Sequence, residues 1–282
     1  MATGWAIPAY GQGVKSGFID THGARLHYQA AGTGPKVVFI HAGVADSRMW
    51  THQLDSLADT HTVIAFDQRG FGATEFSPGP YADHEDTISV MDHLGVDRAV
   101  LVGCSNGGGI ALQVVLDWPD RVAGLVLVGA APAGWEPQAG WYGPPEDEEA
   151  ENAAEAGDVE RAVRLDCLVW LVGTERSIDE VDPSLVALFV NMDEAPVRNY
   201  AFRDDHIIRF GSVVNDRLDE IDVPCLVVVG AYDLPDLLEA ADYLASRLSH
   251  RPVSVIPGAA HLPSFEKPEE FGRLLRRFLS SL

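Results

Sequence analysis

The stretch "LVGCSNGGGIALQ", Leu101 to Gln113, passes from an apolar run through a crowd of small residues into a helical pattern. A serine at the apex of a sharp strand-to-helix turn is held in a strained backbone conformation that lifts its side chain above the sheet. The residues two before and two after such an apex approach so closely that a Cβ would clash, and here they are Gly103 and Gly107. Gly108 and Gly109 are expected to let the following helix pack tightly on the sheet. A phosphate-cradling loop would need Lys-Ser/Thr after the glycines, or G-x-G-x-x-G after an early strand, and neither occurs. Cys104, the rival nucleophile next door, should point into neighbouring packing, where a buried thiol carries little thiolate.

Outward from this turn, short apolar runs alternate with helical patterns. The runs are "KVVFI" (36–40), "TVIAF" (62–66), "RAVLVG" (98–103), "VAGLVLVG" (122–129), "CLVVVG" (225–230) and "PVSVI" (252–256). Continuously apolar strands are those buried on both faces, so the pattern predicts a mostly parallel sheet with helices on both sides. Upstream, "SGFIDT" and "ARLHYQAAG" alternate around "DTHGA" and read as two antiparallel edge strands. Between Gly129 and Pro224 the rhythm stops. A helical cap at 133–216, inserted in a core made of 1–132 and 217–282, is the simplest organisation. Asp158 and Asp182 are plausible helix N-caps within the insertion. The acidic run from Glu146 to Glu160 reads as a solvated helix face.

The 282 residues carry a formal charge of −22, with 46% hydrophobic and 22% charged residues. Nucleic acid is an unlikely partner for such a chain, because phosphate binding rests on Lys and Arg. An anionic membrane surface is disfavoured for the same reason. Cys104, Cys167 and Cys225 are widely separated and lie in apolar stretches, which fits reduced, buried thiols. No secretory signal is read at the N-terminus, and the most apolar stretch is too short for a span. A cytoplasmic protein with a small-molecule partner is expected.

The G-x-S-x-G at 103–107 resembles the nucleophile elbow of the α/β-hydrolase family. A serine hydroxyl needs a base, and His261 lies in a loop between the last predicted strand and the C-terminal helix, where the family carries its histidine. The base needs a carboxylate. Asp233, three residues beyond Gly230, matches the family's acid position; Asp236 and Glu136 are the rivals. The order Ser105, Asp233, His261 is the family's order. The resemblance further implies an oxyanion hole from the backbone N–H of Asn106 and of Gly43 in "FIHAGVADSRMW". Ala42 departs from the usual glycine there, so Val44 remains an alternative donor. "DQRGFGAT" (67–74) matches the family's D-x-R-G-x-G turn, whose role is architectural.

What the resemblance implies is an α/β-hydrolase fold with an inserted helical cap, and acyl transfer from a small, apolar ester or lactone to water. Neither metal nor organic cofactor is required. Carbon–carbon bond hydrolysis, cofactor-free perhydrolysis and non-catalytic sensing share the same machinery and remain open. Because His261 must be neutral to act as base, activity should fall as pH drops through about 6 to 7. Trp135, Trp141, Tyr142, Trp170 and Phe189 are the candidates for a substrate-pocket wall.

Overall fold

The apolar runs lie side by side in one sheet. The computed structural model describes residues 13–138, 140, 142–200, 206–208, 213–248 and 252–282. Its parallel strands are Lys36–Ile40 (β3), Thr62–Phe66 (β4), Ala99–Cys104 (β6), Val122–Val128 (β7), Cys225–Gly230 (β8) and Ser254–Ile256 (β9), in the order β4-β3-β6-β7-β8-β9. The hairpin Lys15–Thr21 (β1) and Ala24–Ala31 (β2) adds antiparallel strands beside β4. Only β1 is an edge there: β2 is paired on both sides, and the short Glu75–Phe76 (β5) also joins it.

Successive side chains of a strand point to opposite faces, and both faces of this sheet are covered. Val37, Phe39, Val102, Val126 and Val228 belong to one core cluster, whereas Val38, Ile40, Leu101, Leu125 and Val227 belong to the other. The α-helices longer than one turn, in chain order, are Thr51–Leu57 (α1), Asp83–His93 (α2), Asn106–Asp117 (α3), Pro145–Glu155 (α4), Val159–Asp166 (α5), Pro183–Arg198 (α6), Pro235–Leu248 (α7) and Pro268–Leu279 (α8). Leu54 of α1 and Phe271 and Leu275 of α8 join the first cluster. Val90 of α2, Leu112 of α3 and Leu244 of α7 join the second. This layering puts the carboxyl ends of the parallel strands at one rim, where loops can meet.

The 67–74 turn is held by buried charge. Arg69 forks onto Asp86 of α2, with Nε to Oδ2 at 2.7 Å and the second nitrogen to Oδ1 at 2.8 Å. Asp67 accepts the N–H groups of Ser47 and Ala73, each at 2.9 Å, and pairs with His27 Nδ1 at 2.9 Å. Burial alone would raise the Asp67 carboxyl, but His27 and these donors more than offset it and hold it below its ordinary value.

Between β7 and β8 the described elements are helices. Asp158 and Asp182 cap α5 and α6 by accepting the N–H of Arg161 and Ser184. The single helical pattern read through "DVERAVRLDCLVWLV" divides: α5 ends at Asp166 and a wider π turn, Cys167–Val172, follows. Gly173 N–H donates to Leu168 O to close that turn. A π turn adds a residue to the helical repeat and so re-aims the side chains after it. Among the described residues no helix is long and apolar enough to cross a membrane.

Candidate active site

Ser105 sits where β6 ends and α3 begins, at φ 52° and ψ −119°. It is the one non-glycine among the described residues with a positive φ, a conformation that persists only when the surroundings over-determine it. Those constraints are visible. Ser105 N–H donates to Val128 O at 2.8 Å, and Ser105 O accepts the N–H of Gly108 at 2.9 Å. A Cβ on Gly103 would stand 2.2 Å from Gly107 O, and one on Gly107 would stand 2.3 Å from Ile40 O. The second clash is therefore with the end of β3, not with Gly103. A Cβ on Gly108 would meet Ala130 Cβ at 2.4 Å, whereas Gly109 faces open space. Tight helix packing needs only the first of these two glycines; the second widens a cavity beside the serine.

Asp233 lies just beyond β8, its N–H turned back on Gly230 O at 3.3 Å. His261 Nδ1 is 3.0 and 3.1 Å from its two carboxylate oxygens, so Nδ1 donates and Nε2 keeps its lone pair. Both residues are buried, at 3% and 2% exposure. Nε2 has no hydrogen-bond partner among the described residues, and His261 lines the same cavity as Ser105. Asp236 is committed elsewhere, accepting the N–H of Leu237 at 3.0 Å and of Tyr142 at 3.2 Å. Glu136 is exposed.

A glycine that sequence reading passed over underlies this pair. Gly129, at the end of β7, has φ 54°, and a Cβ there would stand 3.1 Å from His261 Nδ1 and 3.2 Å from Asp233 Oδ2.

Gly43 and Val44 occupy a turn closed by Ala45 N–H donating to Ala42 O at 3.2 Å. A Cβ on Gly43 would lie 3.8 Å from Asn106 Cβ. The two segments expected to donate N–H groups are thus neighbours. Asn106 opens α3, where N–H groups lack an intrahelical acceptor and carry the positive end of the helix dipole.

Two cavities meet at Ser105. One of about 540 Å³ is bordered by Gly109, Ile110, Ile207, Val214 and Leu237, with His84 and Gln113 among its polar residues. The other, of about 400 Å³, is bordered by Gly43, Val44, His261 and Trp170, with Asp147, Glu151, Asp166 and Asp193 from the inserted helices. One face of the acidic α4 run therefore looks into the site instead of into solvent alone.

Of the five aromatic residues expected at a pocket wall, Trp170 is brought to the site: its ring lies 4.7 Å from the His261 imidazole, tilted by 51°. Trp135 is buried and packs on Tyr243 at 5.8 Å. Phe189 is wholly inside the core. Tyr142 is exposed on an outer groove beside Leu168 and Ile178. Trp141 lies outside the described residues. For Phe189 and Trp170 a helical pattern says which residues share a face, but the docking of the helix decides what that face meets; Trp135 and Tyr142 lie in the Pro/Gly-rich stretch outside any helix, where the fold alone places them.

Burial pushes the Cys104 thiol well above its ordinary value, and the charges of Asp233 and Glu266 add to the shift. Cys167 is raised to about 11 and Cys225 to about 12, with burial the leading cause in each. None is a competing thiolate.

Asp166 hydrogen-bonds Asp193 and the Trp170 indole. Burial, followed by the negative charges of Asp147 and Glu151, raises its carboxyl from 3.8 to about 6. A raised carboxyl contributes most stability below about pH 4, loses it as pH climbs to about 6, and stays at the lower level above. Asp166→Asn is thus expected to be more stable than wild type by about 1–3 kcal/mol at pH 8, a rise of about 3–8 °C in melting temperature. At pH 4 the two should coincide. Melting curves that stay parallel from pH 4 to 8 would contradict this.

A family model described as alpha/beta hydrolase fold matches residues 35–268. The 3-oxoadipate enol-lactonase 2 of Acinetobacter baylyi is 25% identical over 273 residues, 93% of this chain and 98% of that protein. Among solved structures, Est816, titled an N-acyl homoserine lactone degrading enzyme, is 30% identical with a TM-score of 0.74, covering 93% of this chain and 99% of its own. A thermophilic esterase from Thermogutta terrifontis is 26% identical with a TM-score of 0.74, covering 95% and 98%. The strained serine turn, the His–Asp pair at the same rim and a match over most of the chain agree: this protein belongs to the α/β-hydrolase fold family and is a hydrolase.

Proposed function

We propose that the protein hydrolyses an ester or lactone through an acyl-enzyme on Ser105, with His261 as base and Asp233 as its orienting acid. The observation that carries this reading is a buried imidazole that is fixed through Nδ1 on Asp233, lines the cavity that holds the elbow serine, and has no hydrogen-bond partner for Nε2 among the described residues. Ser105 attacks the carbonyl as Nε2 takes its proton. The tetrahedral oxyanion is received by the N–H groups of Asn106 and Gly43. Nε2–H then protonates the leaving alcohol, and a water deprotonated by Nε2 releases the acid. For a lactone the alcohol stays tethered to the acid, so one product leaves.

Residues 133–216 act as a cap over this chemistry. The larger cavity, bordered by Ile110, Ile207 and Leu237, suits an apolar acyl chain. The smaller one, on the His261 side, suits the alcohol or lactone ring. Two relatives matched over nearly their whole length are named an enol-lactonase and an N-acyl homoserine lactone degrading enzyme, which supports including lactones in the substrate class.

The test compares wild type with Ser105→Ala on aryl esters of graded acyl length, simple lactones and N-acyl homoserine lactones. Turnover of at least one group by wild type, with Ser105→Ala at background, is the expected result. No turnover of any ester or lactone, or equal turnover by both proteins, would overturn the proposal.

Gly129→Ala is expected to disturb the same chemistry from below. A Cβ there imposes a left-handed residue costing about 1–2 kcal/mol and crowds both members of the His–Asp pair. Turnover should fall by about 10–100-fold, with a melting temperature lower by about 2–6 °C. Unchanged kcat in steady-state assays would show that the pair tolerates the displacement.

A further inference from the structure

We propose that Gln68 is the positioning residue of the oxyanion hole: its buried side-chain amide ties the Gly43 segment to Asn106 and sets the spacing of the two donors. This rests on the reading of Ser105 and its oxyanion hole given above. Gln68 is 2% exposed and belongs to the 67–74 turn, which sequence reading treated as architecture alone. Its backbone N–H donates to His41 Nε2 at 3.0 Å. His41 Nε2 is therefore an acceptor, which puts the ring proton on Nδ1, where it is donated to Ala42 O at 2.8 Å. Gln68 Nε2 donates to His41 O at 2.8 Å, and Gln68 Oε1 accepts the Asn106 Nδ2–H at 2.9 Å.

One planar amide thus holds both sides of the hole. His41 O lies two residues before Gly43, and Asn106 is the residue whose N–H faces the oxyanion. A carbonyl becoming an oxyanion moves its oxygen by a fraction of an ångström. Donors aimed at the later position must be fixed there before reaction, because donors free to follow the oxygen stabilise both states alike. A strut of two hydrogen bonds centred on a side chain that is itself buried supplies that fixity. It also accounts for a glutamine at this position, since one group must accept from Asn106 and donate to a carbonyl.

Gln68→Met keeps the length and removes both hydrogen bonds. Asn106→Ala keeps the backbone donor and cuts the strut at its exposed end, so it carries the test even if the buried variant folds poorly. Three quantities are read in each: kcat/KM for an aryl ester, the inhibition constant of a trifluoromethyl ketone that forms a tetrahedral oxyanion on serine, and that of the unreactive methyl ketone. Each variant is expected to lose about 10–30-fold in kcat/KM and a similar factor in trifluoromethyl ketone affinity. Methyl ketone affinity should move by less than about twofold. The double variant should lose little more than either single one, because both cut one strut.

Equal inhibition of wild type and variants by the trifluoromethyl ketone would overturn the proposal, as would parallel losses for both ketones. Failure of the underlying reading looks different: wild type itself would not react with a fluorophosphonate at Ser105.

Discussion

Ser105→Ala is expected to lower kcat/KM for an aryl ester by about a million-fold, leaving only what the oxyanion hole and binding provide. The fold should not suffer. Ser105 makes its structural contacts through backbone atoms, to Val128 and Gly108, and alanine keeps them. Ser105→Gly sharpens the result. The positive φ of 52° costs a non-glycine residue about 1–2 kcal/mol, while glycine adds about 0.4–1 kcal/mol of unfolded-chain entropy. The glycine variant should therefore be equally inactive yet melt at least as high as wild type, by up to about 4 °C. A melting temperature clearly below wild type would mean that the serine side chain is structural.

The second large effect is expected at Asp233. Asp233→Asn should reduce kcat by about 10³–10⁴-fold with little change in melting temperature. An amide nitrogen facing His261 Nδ1 favours the tautomer with the proton on Nε2, which cannot take a proton from Ser105. The Leu234 N–H, now donated to Asp233 Oδ1 at 2.9 Å, still finds an amide oxygen. Asp236→Asn is the matched control. Its acceptors serve Leu237 and Tyr142, so activity should change by no more than a few-fold. Equal losses in both variants, measured in the same steady-state assay, would reopen the assignment of the acid.

Local rules carried much of the fold. Continuous apolar runs mark strands buried on both faces, and five of the six quoted runs coincide with strands to within a residue at either end. The Gly103 and Gly107 demand is a short-range steric one, so a five-residue pattern exposes it. Asp233 and His261 were legible because the loops after β8 and β9 must open at the same rim as the serine turn.

What was not legible depends on docking. Phe189 sits on a helical pattern like that of Trp170, yet of the two Trp170 meets the imidazole, through a π turn that the periodicity does not announce, while Trp135 lies in the Pro/Gly-rich stretch before α4, where no periodicity guides its placement. Gly129 matters because three separate chain segments converge on it. Gln68 looked architectural because its partners, His41 and Asn106, lie 27 and 38 residues away. Asp147 and Glu151 looked like a solvated run until α4 was placed over the serine.

The most direct measurement is the site of reaction with a fluorophosphonate, followed by intact mass and peptide mapping. One adduct per chain is expected, on the peptide containing Ser105, forming faster at pH 8 than at pH 5 and absent from Ser105→Ala. An adduct on any other residue, or none on the folded wild-type protein, would contradict it.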